Sequence, residues 1–308
     1  MNVAMYDVDS KIPNLALMKI SAHHKAIGDK VEMYQPLFRN VYDKVYASKI
    51  FNFSDGSLLD EDMVIGGTGH DLLKTLPQEI EGLQPDYSLY NYPHSIGFTM
   101  RGCRLKCSFC VVPKKEGKPK SYNTIDEIWQ QRDSNFIMLL DNDFFGNPEW
   151  KDRTEEIKEF KLKVNFSQGL NIRNLKDDQA EALASVNFRN SHDTSKQVTF
   201  AWDDPRHEKL IHKGIKRMVD AGVKPYQMAF YVLIGYHSTE EEDLHRVETL
   251  RGYGCDPYVM PYNKFDEYQK KFARWVNHKA IFKTVAWADY KKGFNRQSTD
   301  ENQGRLFA

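Results

Sequence analysis

The sequence predicts an α/β protein, a partial (βα)6 TIM-like barrel preceded by a small Rossmann-like domain. Short apolar or β-branched runs alternate with helical segments along most of the chain, the pattern of parallel strands with helices packed on them. The alternation lapses once, over 82–94, where Pro85 and Pro93 interrupt any period, and then restarts. The length of 308 residues also exceeds what one core usually fills, because single cores stop growing near ~250 to 300 residues. The boundaries that follow are 1–88 for the Rossmann-like domain, 89–264 for the barrel and 265–308 for a helical extension.

Taken in order, residues 2–6 form a short apolar strand, and Pro13 opens a helix that buries Leu15, Leu17, Met18, Ile20 and Ile27 before Gly28 ends it. Strands follow at 31–34 and 44–47, and a third at 63–65 runs into the turn Gly66-Gly67-Thr68-Gly69-His70. That turn either reverses the chain or cradles a ligand. Barrel strands are expected at 95–100, 135–140, 163–167, 197–202, 228–234 and 257–261, each followed by a helical segment. Thr124-Ile125-Asp126-Glu127 is a capping signal for the first helix, and the helix from 207 ends at Gly222. Beyond 265, Phe272, Trp275, Val276, Lys279 and Phe282 recur at mostly helical spacing, as in one helix closing a side of the barrel. Trp275, Trp287 and Tyr290 read as its core, and the polar 297–308 stretch is expected to fray.

Lys+Arg and Asp+Glu number 43 each, so no whole-protein field draws the chain to nucleic acid or an anionic membrane. No apolar run nears the ~20 residues of a bilayer span, and the first residues lack a secretory signal pattern. A cytoplasmic protein with no membrane partner is the expectation. Three of the four cysteines lie within eight residues, a poor framework for disulfides and a good one for metal ligation in a reducing compartment.

Those three, Cys103, Cys107 and Cys110, form a Cys-x3-Cys-x2-Cys loop just after the first barrel strand, with Phe109 before the last cysteine. A cubane of four irons needs four ligands, so three thiolates leave one iron open to a small molecule. In spacing and in this aromatic residue the loop resembles the signature of the radical S-adenosylmethionine superfamily. The resemblance implies a 4Fe-4S cluster on the three cysteines and S-adenosylmethionine chelated at the open iron. It further implies reductive cleavage to a 5'-deoxyadenosyl radical and an electron donor such as flavodoxin or ferredoxin. The competing class is a non-catalytic iron-sulfur or zinc-binding module, a redox sensor or nucleic-acid binder, with His94 or His70 completing a zinc site.

Barrel enzymes bind ligands at the C-terminal ends of strands. By analogy with the superfamily, the second strand end holds the methionine amino group. The usual Gly-Gly-Glu is missing there, and Asp141 or Asp143 stands in its place. Gln168 and Arg173 are the candidates for ribose or carboxylate, Asp203 for ribose hydroxyls unless the Asp203-Asp204-Pro205 run only caps a helix, and Ile234, Gly235, Met260 and Pro261 for adenine. The N-terminal part resembles cobalamin-binding-like or methylthiotransferase-like domains. Cobalamin itself is not expected, because His23, His24 and His70 do not sit in an Asp-x-His-x-x-Gly pattern.

From Arg101 to Lys120 seven residues are basic against Glu116 alone, which slightly favours an anionic substrate, a nucleotide or nucleic acid, over a merely solvated loop. Tyr87, Tyr90 and Tyr92 either stack on a base or pack the domains, and Cys255 either faces the barrel mouth as a hydrogen-atom donor or is a small buried hydrophobe.

Overall fold

The computed structural model describes residues 1–292, and the expectation for the 297–308 tail lies outside the described residues. The chain is a mixed α/β protein with parallel sheets that divides into two compact units, one of residues 1–141 and one beginning at Asn142.

In the first unit, the strand Asn2–Asp7 lies between parallel partners Lys30–Met33 and Lys44–Ser48, with Val64–Gly66 outside the latter. Val3, Ala4 and Met5 are fully buried, as expected of a central parallel strand covered on both faces. The helix Leu15–Ala26 starts two residues after Pro13, capped by Asn14: the Asn14 side chain accepts from the amides of Ala16 and Leu17, and Leu17, Met18 and Ile20 pack inward. The glycine turn is fixed by packing. A Cβ at Gly67 would lie 2.2 Å from the Lys49 carbonyl oxygen, and one at Gly69 would lie 2.3 Å from the Phe51 backbone.

The 82–94 segment contributes to the core of this unit. Tyr87 is 8% exposed and its hydroxyl accepts from the Ile96 amide at 3.0 Å, while the Tyr90 hydroxyl donates to Asp7 at 2.6 Å. Tyr90 and Tyr92 pack against the cluster of Met18, Tyr87, Ile96, Phe136 and Met138. Packing, the blander of the two readings for these rings, is what occurs. Next, Ser95–Gly97 pairs in parallel with Phe136–Leu139, whose residues are all buried. The helix capped by Thr124 is a single turn, Ile125–Ile128, with both halves of its capping box made.

In the second unit, Val198–Ala201, Met228–Ile234 and Asp256–Pro261 are adjacent, parallel and in sequence order. Lys163–Phe166 pairs with a two-residue strand, Asn187–Phe188, too short to leave a sequence pattern, and a parallel bridge joins Leu170 to Phe200. The helix Glu208–Asp220 buries Ile211, Gly214, Ile215 and Met218, spaced 3, 1 and 3 apart as one helical face requires. Glu240–Tyr253 has a Thr239/Glu242 capping box and ends on left-handed Gly254.

Among the described residues after 265 there are three helices in place of one: Glu267–Asn277, Lys279–Thr284 and Trp287–Lys291. His278 breaks the first by turning out of helical geometry and capping the second. Phe272, Trp275 and Trp287 meet with ring centroids 4.9 to 5.4 Å apart, so the aromatic residues are core as expected. Among the described residues no helix is long and apolar enough to cross a membrane.

Candidate metal centre

The cysteine loop is closed at its base. Met100–Arg101 and Lys120–Ser121 form a two-residue antiparallel pair, and the Tyr122 amide donates to the Thr99 carbonyl at 2.9 Å. Gly102 turns the chain into the loop with φ +84°, and a Cβ there would lie 2.3 Å from the Lys118 carbonyl oxygen. Glu116 clamps the same point by accepting from the Gly102 amide and the Arg101 guanidinium, both at 2.9 Å. That guanidinium in turn lies 4.1 Å from the Phe98 ring centroid.

Inside this frame Cys103 donates its amide to Gly117, Cys110 donates its amide to Cys107, and the short helix Val112–Lys115 follows. All three cysteines are half-buried. The Leu105 amide donates to the Cys103 sulfur at 3.4 Å, the kind of N–H to sulfur contact that tunes a cluster ligand.

Asp141 supports the loop from below. It is 4% exposed and accepts from the Thr99 amide (2.7 Å), the Met100 amide (3.0 Å) and the Thr99 hydroxyl (2.6 Å). Burial pushes its carboxyl up to about 6 despite these donors. Its bonds are spent on the strand that delivers the cysteines, which makes it a positioning residue for the loop.

A second tie reaches the N-terminal sheet: Lys115 donates to the Thr68 hydroxyl, and burial, then Arg101, lowers its ammonium below the usual lysine range. Lys115 therefore leaves the basic rim, and Arg101 is committed to Glu116. Arg104, Lys106, Lys114, Lys118 and Lys120 remain exposed, with no exposed acid between them in sequence.

Among the described residues no three His, Cys, Asp or Glu side chains converge on a point that would hold one metal ion. A single tetrahedral zinc draws its thiolates to about 2.3 Å, which demands such convergence. A polynuclear core receives each thiolate at a separate iron, and it too gathers all of its thiolates around one inorganic core. His94 Nδ1 lies 2.7 Å from the Ser134 hydroxyl. Three cysteines on one closed loop under a cationic rim make a donor set of the thiolate kind that iron-sulfur clusters and zinc both take.

The other predicted residues lie on the second unit. Asp143 is 2% exposed and precedes the 3-10 turn Phe144–Gly146, and Gln168 is exposed. Arg173 and Asp203 act on each other's charge. Burial raises the Asp203 carboxyl above its ordinary range, and the guanidiniums of Arg173 and Arg246 oppose that rise. Arg173 also lies 2.9 Å from His207 and donates from Nε to the Asn171 side-chain oxygen Oδ1, while the buried Asn171 Nδ2 has no partner. The helix-cap role falls to Asp204, whose carboxylate receives the Arg206 amide and guanidinium and drops to about 2.

Pro261 ends its strand, and Gly235 directly follows Ile234, the end of the adjacent one. Gly235 has φ +74°, yet a Cβ there would lie 2.1 Å from the Gln269 amide, so the close approach this glycine allows is taken by Gln269. Cys255 is 4% exposed, and burial pushes its thiol up to about 12, which leaves it a buried hydrophobe.

Two fully buried residues escaped the sequence reading. Arg246 donates to the carbonyls of Trp202 and Leu233 at 2.9 Å and pairs with Asp243, which also accepts from Ser238 (2.7 Å) and Tyr268 (2.9 Å). They sit in the acidic run Glu240–Asp243 and its continuation, which reads as a solvated helix face, and only the Asp243/Arg246 spacing of three hints at a pair. No family model and no curated protein matches this sequence.

Proposed function

We propose that this chain is a radical S-adenosylmethionine enzyme whose cluster is held by Cys103, Cys107 and Cys110. The observation that carries the reading is the closed Cys-x3-Cys-x2-Cys loop delivered by a buried parallel strand, with its entry fixed by Gly102, Glu116 and Asp141. A 4Fe-4S cluster held by these cysteines, with S-adenosylmethionine bound to it, would supply one-electron cleavage of a carbon-sulfur bond.

The residues of this chain do the rest by positioning. Glu116 and Arg101 keep the loop mouth in one conformation, and the exposed cations offset the negative charge of three thiolates. On the second unit, Arg173, Asn171 and Asp203 offer a guanidinium, an unpartnered amide donor and a carboxylate, a set suited to a carboxylate and ribose hydroxyls. Sequential parallel order of its strands supports the partial-barrel architecture. The same five exposed cations favour an anionic substrate, a cytoplasmic setting follows from the need for reduced thiols, and a flavodoxin- or ferredoxin-like donor supplies the electron.

Anaerobic reconstitution with iron and sulfide, then dithionite and S-adenosylmethionine, tests the reading. Release of 5'-deoxyadenosine that is lost in Cys103→Ser, Cys107→Ser or Cys110→Ser and kept in Cys255→Ser is expected. One zinc per chain and no cleavage product would instead mark a non-catalytic metal module.

A further inference from the structure

The glycine turn at 66–69, which in sequence is either a reversal or a cradle, is built as an anchor. Lys49 donates its amide to the Gly66 carbonyl and accepts from the Gly69 amide, both at 3.0 Å. The His70 and Asp71 amides both donate to the Gly67 carbonyl, at 3.1 and 3.0 Å. With Gly67 and Gly69 seated against the backbone at Lys49 and Phe51, the side chain that residues 66–69 offer is that of Thr68. Its hydroxyl accepts from the Lys115 ammonium, 47 residues further along the chain.

Lys115 ends the helix Val112–Lys115, which begins two residues after Cys110. That helix is a single turn without a side-chain cap, too short to hold itself in water. Its last residue sets a partly desolvated ammonium against a neutral hydroxyl, a partner that returns little of the cost of burying a charge. Such local costs concentrate where function needs a fixed geometry.

The exit of the loop is held in the same way. Lys19, in the helix Leu15–Ala26, is 8% exposed. Its ammonium donates to the Glu81 carbonyl and, at 3.2 Å, to the Tyr122 hydroxyl, and Tyr122 donates in turn to the Glu81 carboxylate. Tyr122 is the residue at which the loop closes, its amide bonded to the Thr99 carbonyl. The loop and the N-terminal sheet also fall in one compact unit, residues 1–141, although the 82–94 segment separates them in sequence.

We infer that the N-terminal sheet is the scaffold of the cysteine loop, with Thr68, Lys115 and Lys19 as positioning residues that fix where the three thiolates stand. The inference rests on the proposed enzyme only for the cluster whose surroundings are fixed in this way. The hold itself is a property of the metal-free chain, so the two fail separately.

Hydrogen exchange of the full metal-free chain reads the hold. Thr68→Val keeps the shape of the side chain and removes the acceptor, and Lys19→Met removes the second tie. In both, amides within 103–122 are expected to exchange about tenfold or more faster, the scale of one hydrogen bond to a charged group. The strands Asn2–Asp7 and Lys44–Ser48 are expected to keep their protection, and Thr68→Ser to behave as the wild type. In the anaerobically reconstituted chain, the electron paramagnetic resonance spectrum of the reduced cluster is expected to change in Thr68→Val at equal iron per chain and to return in Thr68→Ser. Unchanged loop exchange in Thr68→Val and Lys19→Met, or faster exchange throughout the sheet as well, would overturn the inference. So would a cluster spectrum identical in the wild type and Thr68→Val. If the wild type assembles no cluster, the enzyme reading fails and the exchange result alone decides the inference.

Discussion

Asp141 sits where burial and hydrogen bonding pull in opposite directions. Three donors favour its anion, yet burial keeps its carboxyl near about 6, above its ordinary value. A carboxyl raised on folding binds more protons in the native than in the unfolded chain. Its contribution to stability is therefore fully present below about pH 4 and lost as pH rises through about 6. Denaturant unfolding of the wild-type chain and Asp141→Asn across that window checks this: the wild-type advantage is expected to shrink as pH rises, and a growing advantage would reverse the sign. At this scale the cysteines were legible because spacing in sequence is spacing in a short loop. Asn171 and Arg246 were not, since an orphaned amide and a buried guanidinium are properties of distant neighbours brought together by folding.

Between residues and units stand the elements, and the cysteine loop depends on its shortest ones. Gly102→Ala forces a Cβ against the Lys118 carbonyl and a side chain into a left-handed position, a strain of about 1–3 kcal/mol. A lowered melting temperature together with reduced iron per chain after reconstitution is expected, and unchanged values in both would show that the loop adapts. In the second unit the Asp243–Arg246 pair is fully buried, so Arg246→Met strands a carboxylate and is expected to cost about 3–5 kcal/mol in denaturant unfolding. Replacing both partners with apolar residues should recover much of that loss.

Strands with apolar runs, such as Phe136–Leu139 and Met228–Ile234, were visible in the sequence because burial on both faces demands such composition. The Met100–Arg101 and Lys120–Ser121 pair was not, because two residues carry no period and their pairing is set by the loop they close. The single tail helix failed at His278 for a similar local reason, a side-chain cap that restarts the helix at the next residue.

The whole chain has 43 basic and 43 acidic residues, so any electrostatic selectivity must come from local distribution. The cysteine loop concentrates exposed cations, and Lys114→Glu/Lys118→Glu is expected to weaken turnover of an anionic substrate in a salt-dependent way while leaving substrate-free cofactor cleavage intact. Equal turnover at low salt would remove the anionic preference. The α/β alternation was legible over most of the chain, whereas the boundary of its compact units, after Asp141, follows contact density rather than the proline-rich 82–94 segment.

The most direct measurement is Mössbauer spectroscopy of the anaerobically reconstituted chain before and after S-adenosylmethionine. The account predicts a cubane in which one iron of the four, the one without a cysteine, changes its signal when the sulfonium compound is added. Four irons that respond alike, or no cubane at all, would contradict it.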